Sequence, residues 1–360
     1  MNKKLKVGII GCGGIATGKH LPSLSKLKTV ELTAFCDVNI SNAEQAAKKF
    51  GIEGARIFSD YNELLNETSI EVVHICTPND SHADIAIAAL KAGKHVNCEK
   101  PMAKTAADAR RMYEASKISD KKLTISYQNR FRADSQYLNQ ACREGELGEI
   151  YFAKAHAIRR RAVPTWGVFL DEEKQGGGPL IDIGTHALDL TLWMMDNYKP
   201  KVVLGTAFHK LSKRENAANA WGPWDPNEFT VEDSAFGMIK MENGATIILE
   251  SSWALNSLDE GEAKCTLAGT EGGADMKDGL RINGESRGKL FTNQIQTNVG
   301  GVAFYDGKEE SDADLEMRLW IDSILYDTEP IVKPKQALVV SEILEAIYES
   351  SKTGKAVYFE

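Results

Sequence analysis

Leu5-Lys6-Val7-Gly8-Ile9-Ile10-Gly11-Cys12-Gly13-Gly14-Ile15-Ala16 is the stretch whose reading decides the fold. A short apolar run that ends in a glycine-rich turn and opens into an amphipathic segment reads as strand, turn and helix. The turn has the form G-x-G-x-x-A. Gly11 permits the tight turn, Gly13 and Gly14 leave the backbone bare, and Ala16, next to Ile15, lets helix and strand pack closely. Without a Cβ at Gly13 the chain can approach a pyrophosphate, and the helix N-terminus faces the phosphates. Such turns also occur with no ligand, so context matters. A second apolar run, residues 30–36, ends in Asp37, at the distance where an acid meets the ribose hydroxyls of a dinucleotide. A carboxylate there bonds the 2′-hydroxyl of NAD and repels the 2′-phosphate of NADP. Val38 and Asn39 bring no cation to offset that repulsion, so NAD is favoured over NADP.

Further apolar runs follow at 70–75, 95–97 and 123–126, and between the runs lie Ala-, Glu- and Lys-rich stretches at 42–50, 81–91 and 106–118. Strands alternating with helices imply βαβ units, hence a parallel sheet covered on both faces. The expected class is α/β, a doubly wound Rossmann domain over residues 1–126. With 360 residues the chain exceeds one ordinary core, so a second domain over residues 127–360 is expected.

Acidic residues outnumber basic ones, 51 to 43, and the formal charge is −8, which disfavours a nucleic-acid or anionic-membrane partner. A small molecule is the better expectation. The six cysteines (Cys12, Cys36, Cys76, Cys98, Cys142, Cys265) show no C-x-x-C pair and read as reduced thiols of a cytoplasmic protein. The lysines ahead of Val7 imitate a signal peptide, but four glycines in the following stretch argue against one, and no apolar run approaches a membrane span.

In the second domain, a helix is expected over 134–144, strands over 150–159, 231–240, 245–253 and 263–267, and two closing helices over 314–326 and 335–351. The segment Gly176-Gly177-Gly178-Pro179-Leu180-Ile181-Asp182-Ile183-Gly184-Thr185-His186 carries the chemistry. Pro179 suits a first helical turn, and helical apolar spacing continues to Met195. Asp182 and His186 are four apart and share a helical face. An imidazole can take a proton from an alcohol while a carboxylate orients the ring. Asp189 shares that face, so a metal site of Asp182, His186 and Asp189 is the alternative reading of the same residues. The run Arg159-Arg160-Arg161 alternates sides on a strand and reads mainly as solvated or oligomer-contacting charge. Trp166 could stack on the apolar face of a sugar ring. Trp221 and Trp224 suit either a substrate loop or a subunit contact.

Four motifs in order, Gly11 to Ala16, Thr77-Pro78-Asn79 with His82, Glu99-Lys100-Pro101, and Asp182 to His186, make the chain closely similar to the glucose-fructose oxidoreductase, inositol dehydrogenase and rhizopine-catabolism (Gfo/Idh/MocA) family. The resemblance covers essentially the whole chain. It implies a Rossmann domain followed by an α+β domain on a large open, mainly antiparallel sheet; the exposed face of such a sheet must be covered, so a homodimer or homotetramer is expected. Cofactor contacts are implied for Thr77, Pro78, Asn79, His82, Glu99, Lys100, Gln128 and Trp166, and substrate contacts for Lys100, Arg130, Trp166, Asp182 and His186. It implies no metal, with the D-x-x-x-H pair doing acid–base work. The expected reaction is oxidation of a secondary hydroxyl of a sugar, sugar derivative or cyclitol by NAD, at a site between the two domains. His186 would act as base and Lys100 would hold the oxygen, or the two roles are exchanged. Two rivals stand beside it: glycoside cleavage assisted by transient oxidation, and a non-catalytic dinucleotide or sugar sensor.

Overall fold

The computed structural model describes residues 4–297 and 310–359. The chain forms two compact units, one of Met1–Gln128 with Lys308–Leu338, the other of Asn129–Gly307 with Val339–Glu360.

In the first unit β1 (Leu5–Ile10), β2 (Val30–Cys36), β3 (Arg56–Phe58), β4 (Val72–Ile75), β5 (His95–Glu99) and β6 (Leu123–Ser126) form a sheet of order β3-β2-β1-β4-β5-β6. Every pairing in it is parallel. The central strands are buried on both faces, as four consecutive buried residues in β4 show, which is why they read as unbroken apolar runs. The helices between them begin where the sequence supplies caps. Asn39 accepts from the Ser41 N–H ahead of helix Ile40–Phe50, and Thr105 accepts from the Asp108 N–H ahead of helix Ala106–Ile118.

The chain division differs from a single cut near residue 126 in one segment. Helix Asp312–Leu325, capped by Ser311, places Met317, Trp320 and Ile321 in the same core as Leu5, Val7, Ile9, Leu21 and Leu24 of the first unit. Burial of each such side chain stabilises by about 1.5–3 kcal/mol, enough to bring a distant segment back to the first core.

The second unit carries β7 (Ile150–Ile158), β8 (Pro200–Phe208), β9 (Ser234–Met241), β10 (Thr246–Ser252), β11 (Gly261–Gly269), β12 (Gly272–Asp275), β13 (Leu280–Ser286), β14 (Lys289–Ile295) and β15 (Val357–Tyr358). Their order is β14-β13-β12-β11-β7-β10-β9-β8-β15. Only the β7/β10 pair is parallel among the described residues. One face of this sheet packs against the apolar segment from Leu180 to Met195, which contacts β7, β10 and β11. The opposite face sets Leu204 against Met238, and Met238 against Ile248. Among the described residues no helix is long and apolar enough to cross a membrane.

Candidate active site

The fingerprint turn leaves β1 at Gly11, whose φ is +86° and whose missing Cβ would lie 2.7 Å from the Cys76 carbonyl. Only glycine fits that close crossing of two strand ends. Gly13 and Gly14 differ, since a Cβ at either would meet no protein atom within 4 Å. Their bareness serves no packing, and it leaves room for a ligand's phosphates against the backbone. Residues 14–24 form one helix, with a π turn at Ala16–His20. Asp37 is tied into the turn: the Cys12 N–H donates to its Oδ2 at 2.8 Å, and the Asn39 N–H to its Oδ1 at 2.8 Å. The carboxylate is thereby aimed while keeping acceptor capacity for ribose hydroxyls. These residues fit a dinucleotide.

Thr77, Pro78 and Asn79 follow β4, and Glu99 with Lys100 ends β5, so all sit at carboxyl ends of parallel strands. His82 is fully buried, with Nε2 2.9 Å from the Thr77 carbonyl and Nδ1 2.9 Å from that of Pro101. It braces the two strand ends against one another, and its role is positional. Glu99 is likewise interior. Its Oε1 accepts from Lys19 Nζ at 3.0 Å and lies 2.8 Å from His20 Nε2, and its Oε2 accepts from the Lys100 N–H at 3.1 Å. Burial pushes this carboxyl up, but Lys19 and His20 outweigh burial and hold it well below the usual range. Lys19 also pairs with Glu316 at 2.9 Å and donates to Gln128 Oε1 at 3.1 Å. Glu99 and Gln128 therefore belong to a buried charge network that fixes the backbone entering Lys100.

In the second unit Asp182 sits in a π turn, Leu180–Gly184, that runs into helix Thr185–Met195 with His186 in its first turn. The wider turn keeps the two on one helical face. Trp253, fully buried just past β10, donates from Nε1 to Asp182 Oδ2 at 3.1 Å and so aims the carboxylate. Arg130 is 0% exposed, and its guanidinium donates to both Asp189 oxygens, at 2.9 and 2.6 Å, and to the Tyr198 hydroxyl at 3.2 Å. Arg130 thus supports the helix through Asp189, and it engages the carboxylate that a metal reading would need. Trp166 is 52% exposed and Trp221 43%, whereas Trp224 is interior and donates to the Ser212 carbonyl.

Glu232 holds the entry to this helix. It accepts from the Gly178 N–H at 2.8 Å, the Leu180 N–H at 3.1 Å and the Tyr348 hydroxyl at 2.9 Å. Burial pushes its carboxyl from 4.5 to about 7 against those three bonds. The folded protein therefore holds a proton that the unfolded chain has lost between about pH 4.5 and 7. Stability of this unit is expected to fall as pH rises through that window, by about 3 kcal/mol in all, and to level off above it. Denaturant midpoints followed by tryptophan fluorescence between pH 4.5 and 8 check this, and Glu232→Gln should flatten the profile. A wild-type profile without that decline would remove the assignment.

Residues 5–127 match the model of an oxidoreductase family with an NAD-binding Rossmann fold, Gfo/Idh/MocA, and residues 139–359 match that family's C-terminal alpha/beta domain. The chain belongs to this family. A D-glucoside 3-dehydrogenase of Escherichia coli K12 is 34% identical to it over 353 residues, 98% of this chain and 97% of that protein. An inositol 2-dehydrogenase of Salmonella typhimurium LT2 is 34% identical over 198 residues, 54% of this chain and 56% of that one. A levoglucosan dehydrogenase solved in complex with NADH shares the fold, with a TM-score of 0.82 at 23% identity over 99% of this chain and 100% of that one. As in other Gfo/Idh/MocA chains the first unit is the NAD-binding domain. Reading the sequence missed Trp253, Glu232, Lys19 and His20. Lys19 and His20 carried a faint signal, as polar residues within the otherwise apolar helix after the fingerprint.

Proposed function

We propose that this protein is an NAD-dependent dehydrogenase that oxidises a secondary hydroxyl of a sugar, with a glucoside as the first candidate and a cyclitol as the next. The observation that carries the reading is the likeness, end to end, to the D-glucoside 3-dehydrogenase at 34% identity. NAD, when bound at Gly11 to Ala16 and Asp37, supplies the hydride acceptor. His186 takes the hydroxyl proton, and Lys100 donates a hydrogen bond to the same oxygen as it becomes a carbonyl. Asp182, aimed by Trp253, steadies the imidazole and its positive charge. Two electrons leave the carbinol carbon as hydride and one proton leaves its oxygen, so the balance closes with a ketone. Lys100 enters on a backbone fixed by Glu99 and His82. The six cysteines, all free thiols, accord with a cytoplasmic setting, and the exposed Leu204 and Met238 on the outer face of the second sheet accord with a homodimer or homotetramer.

Absorbance of reduced cofactor, followed across glucosides, inositols and anhydrosugars with NAD and with NADP, tests this. NADH is expected from at least one pyranoside, with NAD preferred and the preference narrowed by Asp37→Ser. A preference for NADP would sink the role of Asp37. Aglycone release without accumulating NADH would replace the reading by oxidation-assisted cleavage, and cofactor binding without turnover would make the protein a sensor.

A further inference from the structure

Four aromatic rings run in contact from Asp182 to the surface of the second unit. Trp253, which donates to the Asp182 carboxylate, packs edge-on with Phe169 at 6.3 Å, Phe169 with Trp166 at 6.0 Å, and Trp166 with Trp221 at 5.0 Å. The inner ring, Trp253, is fully buried, and the two outer ones, Trp166 and Trp221, are 52% and 43% exposed. The two outer rings are held in place although half of each faces solvent. The Thr165 hydroxyl donates to the Trp221 carbonyl at 2.8 Å, Asn219 bonds both the N–H and the carbonyl of Val163, and the Ala220 N–H donates to the Arg161 carbonyl. Arg159 stacks on Trp221 at 5.1 Å while its charge is taken up by both oxygens of Glu262. One side of the Trp221 indole is thus covered by a neutralised guanidinium. The two segments that carry the tryptophans are stapled to each other, so the exposed rings are preorganised and lose little freedom when a planar or puckered ring settles on them.

We propose that Trp221 and Trp166 form an outer subsite that stacks the aglycone ring of a glycoside, a second hexose above all, while the ring being oxidised lies against Asp182. This rests on the sugar dehydrogenase reading and extends it from one ring to two. Aromatic faces suit the axial C–H surface of a hexose, and the continuity of the aromatic wall with Asp182 sets the order of the two rings. Trp221 is then a specificity residue, which selects glycosides over free monosaccharides without entering the chemical step.

The test compares cellobiose with methyl β-D-glucoside as substrates of the full NAD-loaded protein. In Trp221→Ala the ratio of kcat/KM for cellobiose to that for methyl glucoside is expected to fall about tenfold, and in Trp221→Phe to stay within about twofold of wild type, since a ring still stacks. Trp166→Ala should shift the ratio in the same direction. An unchanged ratio overturns the subsite while the dehydrogenase reading stands. An equal fall for both substrates with a lower oligomer mass by light scattering also overturns it, and makes these tryptophans a contact between copies. Should neither sugar be oxidised, the choice of a glucoside as substrate fails by itself. Fluorescence quenching by cellobiose then decides the subsite: quenching lost in Trp221→Ala supports it, and absence of quenching in wild type overturns it.

Discussion

His186→Ala and Lys100→Ala are each expected to lower kcat on the substrate identified by the cofactor screen by about 10²–10⁴-fold, the usual contribution of a positioned acid or base. The expectation rests on the acid–base roles proposed for these two side chains. Glu99 and His82 fix the backbone around Lys100, through its N–H and the Pro101 carbonyl, and so set where the lysine side chain starts. His186 is 6% exposed, in the first turn of helix Thr185–Met195. NAD affinity should hold within a fewfold in His186→Ala, because the fingerprint turn and Asp37 belong to the other unit. Dissociation constants from NADH fluorescence and stopped-flow turnover check the two halves. The pH profile then separates the roles. If His186 is the base, the acid limb of kcat vanishes in His186→Gln, and if Lys100 is the base that limb survives there and vanishes in Lys100→Met. Turnover within a fewfold of wild type in both alanine variants would discard the assignment.

What the sequence made legible follows from where each signal is stored. The strands of the first sheet are buried on both faces, so β1, β2 and β4 announce themselves as apolar runs, whereas β3 is three residues with two exposed and leaves no such trace. β13 and β14 are equally silent, since β14 exposes six of its seven residues, and only pairing defines it. The helix Asp312–Leu325 was legible as a helix and illegible as part of the first unit, because its amphipathic pattern states that it packs without stating on what. That Asp182 and His186 lie on one continuous helical stretch was legible from their spacing. Trp253, which aims Asp182, was not, because 71 residues separate donor and acceptor. Glu99 and His82 show the same limit from the other side. They stand beside ligand-facing motifs and read as ligand contacts, and the sequence gives no sign of the interior partners, Lys19, His20 and two carbonyls, that they also have.

Arg130→Met is expected to be the most destabilising single substitution in the second unit, by about 3–5 kcal/mol, with a loss of activity that follows from unfolding. Arg130 and Asp189 are both buried, at 0% and 1% exposure, and share two hydrogen bonds of 2.9 and 2.6 Å. Trp193, on the same helix as Asp189, packs its ring 5.5 Å from the guanidinium. Removing the cation strands a carboxylate in an apolar interior. Burial already pushes the Asp189 carboxyl up against the pull of Arg130, so in Arg130→Met it will take up a proton at neutral pH, which caps the cost. The variant should therefore regain part of its stability as pH falls from 8 to 5, beyond the gain that Glu232 gives wild type and variant alike. Arg130→Met with Asp189→Leu removes both members, leaves no buried charge, and should recover most of the loss, since an apolar pair of similar volume often replaces a buried ion pair at little cost. Lys in place of Arg130 cannot form the two-pronged contact and should stay destabilised. Denaturation midpoints of the three variants decide the matter. Had Arg130 been a substrate contact, Arg130→Met would keep its midpoint within about 0.5 kcal/mol and raise KM instead.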